Sequence, residues 1–93
     1  MLYEVIGAPE LVAGGGSQRF ALPALGNHGA IRLSAEGHGY FAFGDNTVVA
    51  DANADSAQLP SGSVEFIVPL AGATHIAVVV GTRMTITPVR VIR

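Results

Sequence analysis

The sequence predicts an all-β protein: a small single-domain β-sandwich, jelly-roll or immunoglobulin-like, with about eight short antiparallel strands. The chain has 93 residues, which is enough for one compact domain, here residues 1–93. Its 12 glycines and 5 prolines leave almost no window of ten residues in which a helix could form. Apolar residues recur at every second position in short segments separated by turn-forming residues, which is typical of strands.

The clearest strand lies at residues 30–36. Ile31, Leu33 and Ala35 alternate with polar residues, so one face of this strand is expected to be buried and the other to face water. We expect Leu33 to lie in the core. Shorter strands are predicted near the two ends of the chain, at residues 3–7, 18–22 and 89–93.

Two later segments, residues 63–68 and 83–87, show the same alternation and are predicted to be half-buried strands. The residues expected to share the buried face are Val64, Phe66 and Val68 in the first segment, and Met84 and Ile86 in the second. Pro88 follows the second segment and has no N–H to donate, so it predicts a strand interruption, at an edge or a bulge.

Residues 74–80 are apolar on both faces, which predicts a central strand covered on both sides. Residues 40–43 and 47–51 are both β-prone, and Gly44, Asp45 and Asn46 separate them. Three such residues suit a hairpin loop, so a hairpin is predicted here. The longest irregular stretch is the loop around residues 51–61.

The charge pattern argues against nucleic acid as a partner. Five arginines face seven acidic residues, the net charge is -2, and the arginines do not cluster. The chain has no run of about 18 apolar residues and no basic leader before an apolar segment, so neither a membrane span nor a signal peptide is expected. It also has no cysteine, which excludes a disulfide framework and a thiolate metal site.

The apolar content is high for a chain of this length. Hydrophobic residues make up 49% of the sequence and charged residues 13%, against about 25% charged in a typical soluble domain. A small domain buries only about two-thirds of its unfolded surface. Some apolar surface is therefore expected to lie outside the core, where other chains would cover it. This predicts an assembly subunit.

Metal ligation is suggested only weakly. Asp51, Asn53 and Asp55 alternate as at the start of a calcium loop, but Ser56 and Gly62 occupy the positions where that loop has its glycine and its closing carboxylate. The histidines do not form a pair at ligand spacing; they are His28, His38 and His75. No metal and no cofactor is expected, and calcium at the residue 51–55 loop stays open as an alternative.

Catalysis and sugar binding receive little support. The glycine run at residues 14–16 lacks the lysine of a phosphate-binding loop, and Gly-x-Ser-x-Gly does not occur. Glu36 and Glu65 would act together only if they faced one cleft. If Phe41 or Phe43 packs in the core, Tyr40 is the plausible aromatic residue of this strand for stacking on a sugar. We therefore expect no enzyme; a small carbohydrate- or calcium-binding sandwich is the alternative of another class.

Three segments carry a resemblance to a known family: residues 40–45 (YFAFGD), 59–68 (LPSGSVEFIV) and 74–79 (THIAVV). Across residues 31–87 the chain resembles the small β-sandwich virion proteins encoded with the head genes of tailed bacteriophages. The resemblance implies a structural protein of the virion, of the capsid decoration or cement type, located on the capsid surface. Its implied partners are the major capsid protein and copies of itself. Head-completion and tail structural proteins of phages would show the same sequence features, so these roles are alternatives.

If the chain is such a protein, its terminal strands are expected to make the contacts, because they are apolar with few charges to deter pairing. The residues assigned to this interface are Leu2, Tyr3, Val5, Ile6, Val89, Val91 and Ile92.

Overall fold

The computed structural model describes residues 2–25, 28–50 and 57–92. In these residues the chain forms two packed antiparallel sheets, which confirms the predicted all-β sandwich. Nine strands make up the sheets: β1 (Leu2–Val5), β2 (Glu10–Ala13), β3 (Gln18–Ala21), β4 (Gly29–Glu36), β5 (Gly39–Gly44), β6 (Ala57–Leu59), β7 (Val64–Ile67), β8 (His75–Val80) and β9 (Arg83–Ile92). The described ranges contain no helix long and apolar enough to cross a membrane.

The strand order is that of a jelly roll. Sheet A has the order β1-β9-β4-β7, with β2 also paired to β9, and sheet B has the order β3-β8-β5-β6. Because β1 and β2 pair with successive halves of one edge of β9, they act as a single broken strand. With β1 and β2 counted as one strand, the first strand pairs with β9, β3 with β8, β4 with β7 and β5 with β6. The first half of the chain thus pairs with the second half in reverse order, as in a long hairpin that has been rolled up.

Two tight turns connect the sheets directly, one between β4 and β5 and one between β8 and β9. β4 turns into β5 at Gly37, and β8 turns into β9 at Gly81, so the two corners lie side by side and the Gly81 N–H donates to the His38 carbonyl at 2.9 Å. Gly37 has φ +80°, and a Cβ there would lie 3.0 Å from the Thr82 backbone nitrogen. This corner therefore requires glycine.

The core lies between the sheets and is built mainly from alternate residues of β4, β8 and β9. Leu33 is fully buried, as predicted, together with its neighbours Ile31 and Ala35. β8 is a central strand between β3 and β5, which also confirms the prediction. Phe41 and Phe43 both pack against the core, with their ring centroids 5.9 Å apart.

The predicted buried face of β7 is wrong. Ile67 pairs with the inward-facing Ile31 and packs against the core, so the alternate residues of this segment lie on the outer face of sheet A, which we define as the face turned away from sheet B. Those residues are Val64, Phe66 and Val68. Val64 is 45% exposed and Val68 is 75% exposed. The inner side of β7 carries Ile67 together with Glu65, and the pairing with β4 rather than the apolar alternation decides which side is turned to the core.

The predicted hairpin around residues 44–46 is also wrong. The turn itself forms, because Asp45 accepts hydrogen bonds from the Thr47 N–H at 2.8 Å and the Thr47 hydroxyl at 2.6 Å. Residues 47–50, however, form no strand, and residue 51 lies outside the described residues. One edge of β5 pairs with β8 along its whole length, and residues 39–41 of the other edge pair with β6, which comes from later in the chain than the predicted hairpin partner.

Pro88 does not interrupt the last strand, contrary to the prediction, and β9 runs through it as a central strand. The Pro88 carbonyl accepts a hydrogen bond from the Ile6 N–H at 3.0 Å, so Pro88 faces the edge that β1 and β2 occupy. It lies where that edge is broken between Val5 and Glu10. Because the N–H and C=O of one strand residue point to the same side, its missing N–H costs no ladder bond.

Candidate contact surface on sheet A

Exposed apolar side chains are concentrated on one layer of the sandwich. In the described part of the chain, ten large hydrophobic residues are exposed, and nine of them lie on strands of sheet A or on the segments that directly follow β1 and β7. These nine are Leu2, Tyr3, Val5, Ile6, Leu11, Val64, Val68, Leu70 and Ile92. The tenth is Val49. Leu11 is 71% exposed and Leu70 is 69% exposed, values that are typical of side chains without any intramolecular cover.

Two aromatic rings form a second, smaller cluster on the outer face of sheet A. The rings of Tyr3 and Phe66 lie 4.9 Å apart between centroids, inclined at 60°. They come from β1 and β7, which are separated in the sheet by β9 and β4. Between these edge strands, Val89 and Ala30 pair with each other, point outward and are nevertheless buried, at 0% and 2% exposure. The two rings thus span the sheet and cover its centre.

The fold brings the predicted interface residues together at one end of sheet A. Leu2, Tyr3 and Val5 pair in register with Ile92, Val91 and Val89, and Ile6 follows β1. We call the accessible members of this set the terminal patch; they are Leu2, Tyr3, Val5, Ile6, Val91 and Ile92. Val89 is fully buried and contributes to packing rather than to the accessible surface. The patch adjoins an open depression of about 430 Å³ lined by His28 and Arg90.

Four of the seven charged residues on the strands of sheet A form ion pairs with one another. Arg83 donates to both carboxylate oxygens of Glu36, at 2.7 and 3.1 Å, and Arg90 forms an ion pair with Glu4. The hydrogen bond from Arg83 lowers the pKa of Glu36, and in turn Glu36 raises the pKa of Arg83. All four side chains are exposed, so each pair stabilises the fold only slightly. Paired charges oppose association with an apolar surface less than single charges do.

The outer face of sheet B, in contrast, is covered by the chain itself. A Cβ on Gly44 of β5 would lie 2.9 Å from the Val48 Cβ, and on the β3 side the Arg19 guanidinium donates to the Val48 carbonyl at 3.3 Å. The Ala50 N–H donates to the Ser17 hydroxyl oxygen at 3.0 Å. Residues 48–50 therefore cross over β8, whose outward-facing Ala77 is fully buried.

The remaining candidate residues are not brought together. Glu36 lies on the outer face of sheet A, whereas Glu65 pairs with Leu33 on the other face, so the two carboxylates do not share a cleft. His38 lies at a corner between the sheets and His75 at the opposite end of β8, with its Nδ1 atom 2.8 Å from the Thr74 hydroxyl.

The structure places Tyr40 on the outer face of sheet B, the layer opposite Tyr3. Asp51, Asn53 and Asp55, the proposed calcium loop, lie outside the described residues. Among the residues that are described, no group of three or more histidines and carboxylates is arranged to hold a metal ion.

Sequence reasoning found the terminal patch but missed the rest of the surface. Leu11, Val68 and Leu70 were not assigned to it. The exposed side of Leu11 depends on the pairing of β2 with β9, and Val68 and Leu70 lie in the segment after β7. The aromatic pair was missed for the same reason, since Phe66 was assigned to the core. No protein-family model matches the chain, and no curated protein or solved structure matches it significantly.

Proposed function

We propose that the protein is a non-enzymatic structural subunit of a virion, a capsid decoration protein that binds across major capsid protein subunits and neighbouring copies of itself. The observation that supports the proposal is the one-sided distribution of exposed large apolar residues: of the ten in the described residues, nine lie on sheet A or on the segments that follow β1 and β7. A jelly roll by itself says nothing about function. A sandwich whose exposed large apolar side chains are concentrated on one layer is suited to lie on another protein through that layer.

The size of this surface fits a specific contact. A standard interface takes about 800 Å² from each partner, which is about 15% of the 5381 Å² that this protein exposes. A sheet with three to four strand spacings of about 4.8 Å and a longest strand of ten residues offers a face of about that order. The outer face and terminal patch together can therefore supply one full interface.

The geometry also limits how the contact is made. Both outer edges of sheet A are short: β7 has four residues, and the opposite edge is broken between β1 and β2. Short and broken edges are poor templates for adding a long strand. The side chains of the face, with Leu11 and Val68 as its most exposed members, are therefore expected to contribute more than backbone pairing does.

The test is co-sedimentation of the purified protein with capsid shells that lack it, prepared from the phage that encodes it. Leu11→Asp places a charge on the outer face of sheet A, within the proposed contact, and is expected to weaken binding at least tenfold. Val49→Asp is the matched control, because Val49 is 59% exposed but belongs to the segment that covers sheet B. It should bind like the wild type. Circular dichroism shows whether both variants are folded.

Equal binding by all three proteins would refute the assignment of sheet A as the contact surface, and absence of wild-type binding to the shells would refute the decoration role. Point variants are preferable to deletion of residues 1–6. That deletion removes all of β1, including the Tyr3 ring that packs against Phe66, and would destabilise the fold as well as the contact.

A further inference from the structure

A cleft opens between the two sheets at the edge where the broken strand β1–β2 faces β3. Its volume is about 150 Å³. Three buried residues form its base, namely Ile31, Ile76 and Ile86. Phe20 on the sheet B side and Pro88 on the sheet A side form walls. A recess of about this volume with a mainly apolar lining can hold a benzene-sized group.

One acidic side chain lies at this cleft. Glu10 is the only ionisable residue among the described residues that line it. Its position follows from the sheet register, because Glu10 pairs with Ile86 of β9, and paired residues share the face that points between the sheets. Glu10 itself is exposed, so its carboxylate lies at the rim of the cleft in contact with water. An apolar recess thus ends in a single negative charge.

We propose that this cleft is a binding site for a small aromatic cation, whose ring occupies the recess and whose ammonium group pairs with the Glu10 carboxylate. The inference is independent of the proposed role in the capsid, since the cleft lies between the sheets and the contact surface lies on the outer face of sheet A. A single ring matches the recess in size, since the volume is about 150 Å³. Charge selects a cation over a neutral or anionic ring of the same shape.

The experiment is a ¹H–¹⁵N NMR titration of the full chain at pH 7 with three probes of matched size: benzylamine, benzyl alcohol and phenylacetate. We expect saturable shifts for benzylamine, confined to amides around the cleft such as Gly7, Ala8, Phe20 and Leu22. Benzyl alcohol should bind about threefold to fivefold more weakly, as for the loss of an exposed ion pair. Phenylacetate should bind most weakly.

Two variants complete the test. Glu10→Gln is expected to lower the affinity for benzylamine to that for benzyl alcohol and to leave benzyl alcohol unchanged. Ala8→Phe, which fills the mouth of the cleft, should abolish binding of both, whereas Ala13→Phe on the outer face of β2 should not. The spectra of the variants themselves show that they are folded. The proposal is overturned if benzylamine gives no saturable shifts up to about 10 mM, if shifts scatter over the molecule, or if Glu10→Gln leaves the ratio of the two affinities unchanged.

Discussion

Replacing Leu33 by alanine tests the packing of the sandwich most severely. Leu33 is fully buried at the centre of β4, where it pairs with Ile86 of β9 and lies in the cluster formed by both sheets. Leu→Ala at such a site removes apolar contacts and leaves a cavity, which costs about 3–5 kcal/mol. A 93-residue domain has a total stability of about 5–14 kcal/mol. The substitution therefore removes a large part of it.

The assay is urea denaturation followed by far-ultraviolet circular dichroism, because the chain has no tryptophan to report unfolding by fluorescence. The urea concentration at the midpoint of unfolding should fall, with little change in the dependence of the free energy of unfolding on urea. The melting temperature should fall by about 4–8 °C for each kcal/mol of lost stability. Each protein is measured at two concentrations, since self-association would add to the apparent stability.

Leu11→Ala is the matched control, because the same atoms are removed from a side chain that is 71% exposed. Its effect on the free energy of unfolding should stay within about 0.5 kcal/mol. If Leu33→Ala unfolded like the wild type, or if the two substitutions cost the same, the assignment of the inner and outer faces of sheet A would be refuted.

Three further substitutions test other parts of the structure. Phe66→Ala should cost about 1–3 kcal/mol in urea denaturation, less than a core phenylalanine, because its ring is only half-buried; a cost above 4 kcal/mol would place it in the core. Arg83 holds the pKa of Glu36 below 4.5, so the ionised carboxylate stabilises the fold, and this stabilisation is lost as the pH falls through the lowered pKa. Glu36→Gln should therefore lose less thermal stability on acidification than the wild type. An unchanged dependence of the melting temperature on pH would contradict this. Gly37→Ala should lower the free energy of unfolding by about 1–2 kcal/mol, because Gly37 has φ +80°. Gly16→Ala should leave it unchanged, because there is open space around Gly16. Equal effects of the two substitutions would refute the corner geometry.

Much of the fold could be predicted because alternation is a local signal. β4 and β8 were identified from their own residues, and the burial of Leu33 followed directly. β2 and β6, with four and three residues, were missed because a short segment beside proline or glycine shows too little alternation. The course of the chain after Gly44 depends on which strands occupy the edges of β5, which no local pattern contains.

Of the candidate contact surface, only the part on the two terminal strands was assigned from the sequence. Leu2, Val5 and Ile92 were assigned from their apolar character, and the pairing of β1 with β9 brings them together. The outer position of Phe66 depends instead on its long-range register with β4. The alternation of residues 64–68 divides the side chains into two sets but does not state which set faces the core.

Cysteine footprinting measures most directly whether other chains cover the outer face of sheet A. The chain has no native cysteine, so Leu11→Cys and Val49→Cys each provide a unique thiol on the two opposite layers. Both should react readily with a maleimide in the free protein, because both positions are exposed. On capsid shells, the rate at position 11 should fall at least tenfold while the rate at position 49 is unchanged. Equal labelling of both positions on the shells would contradict the account.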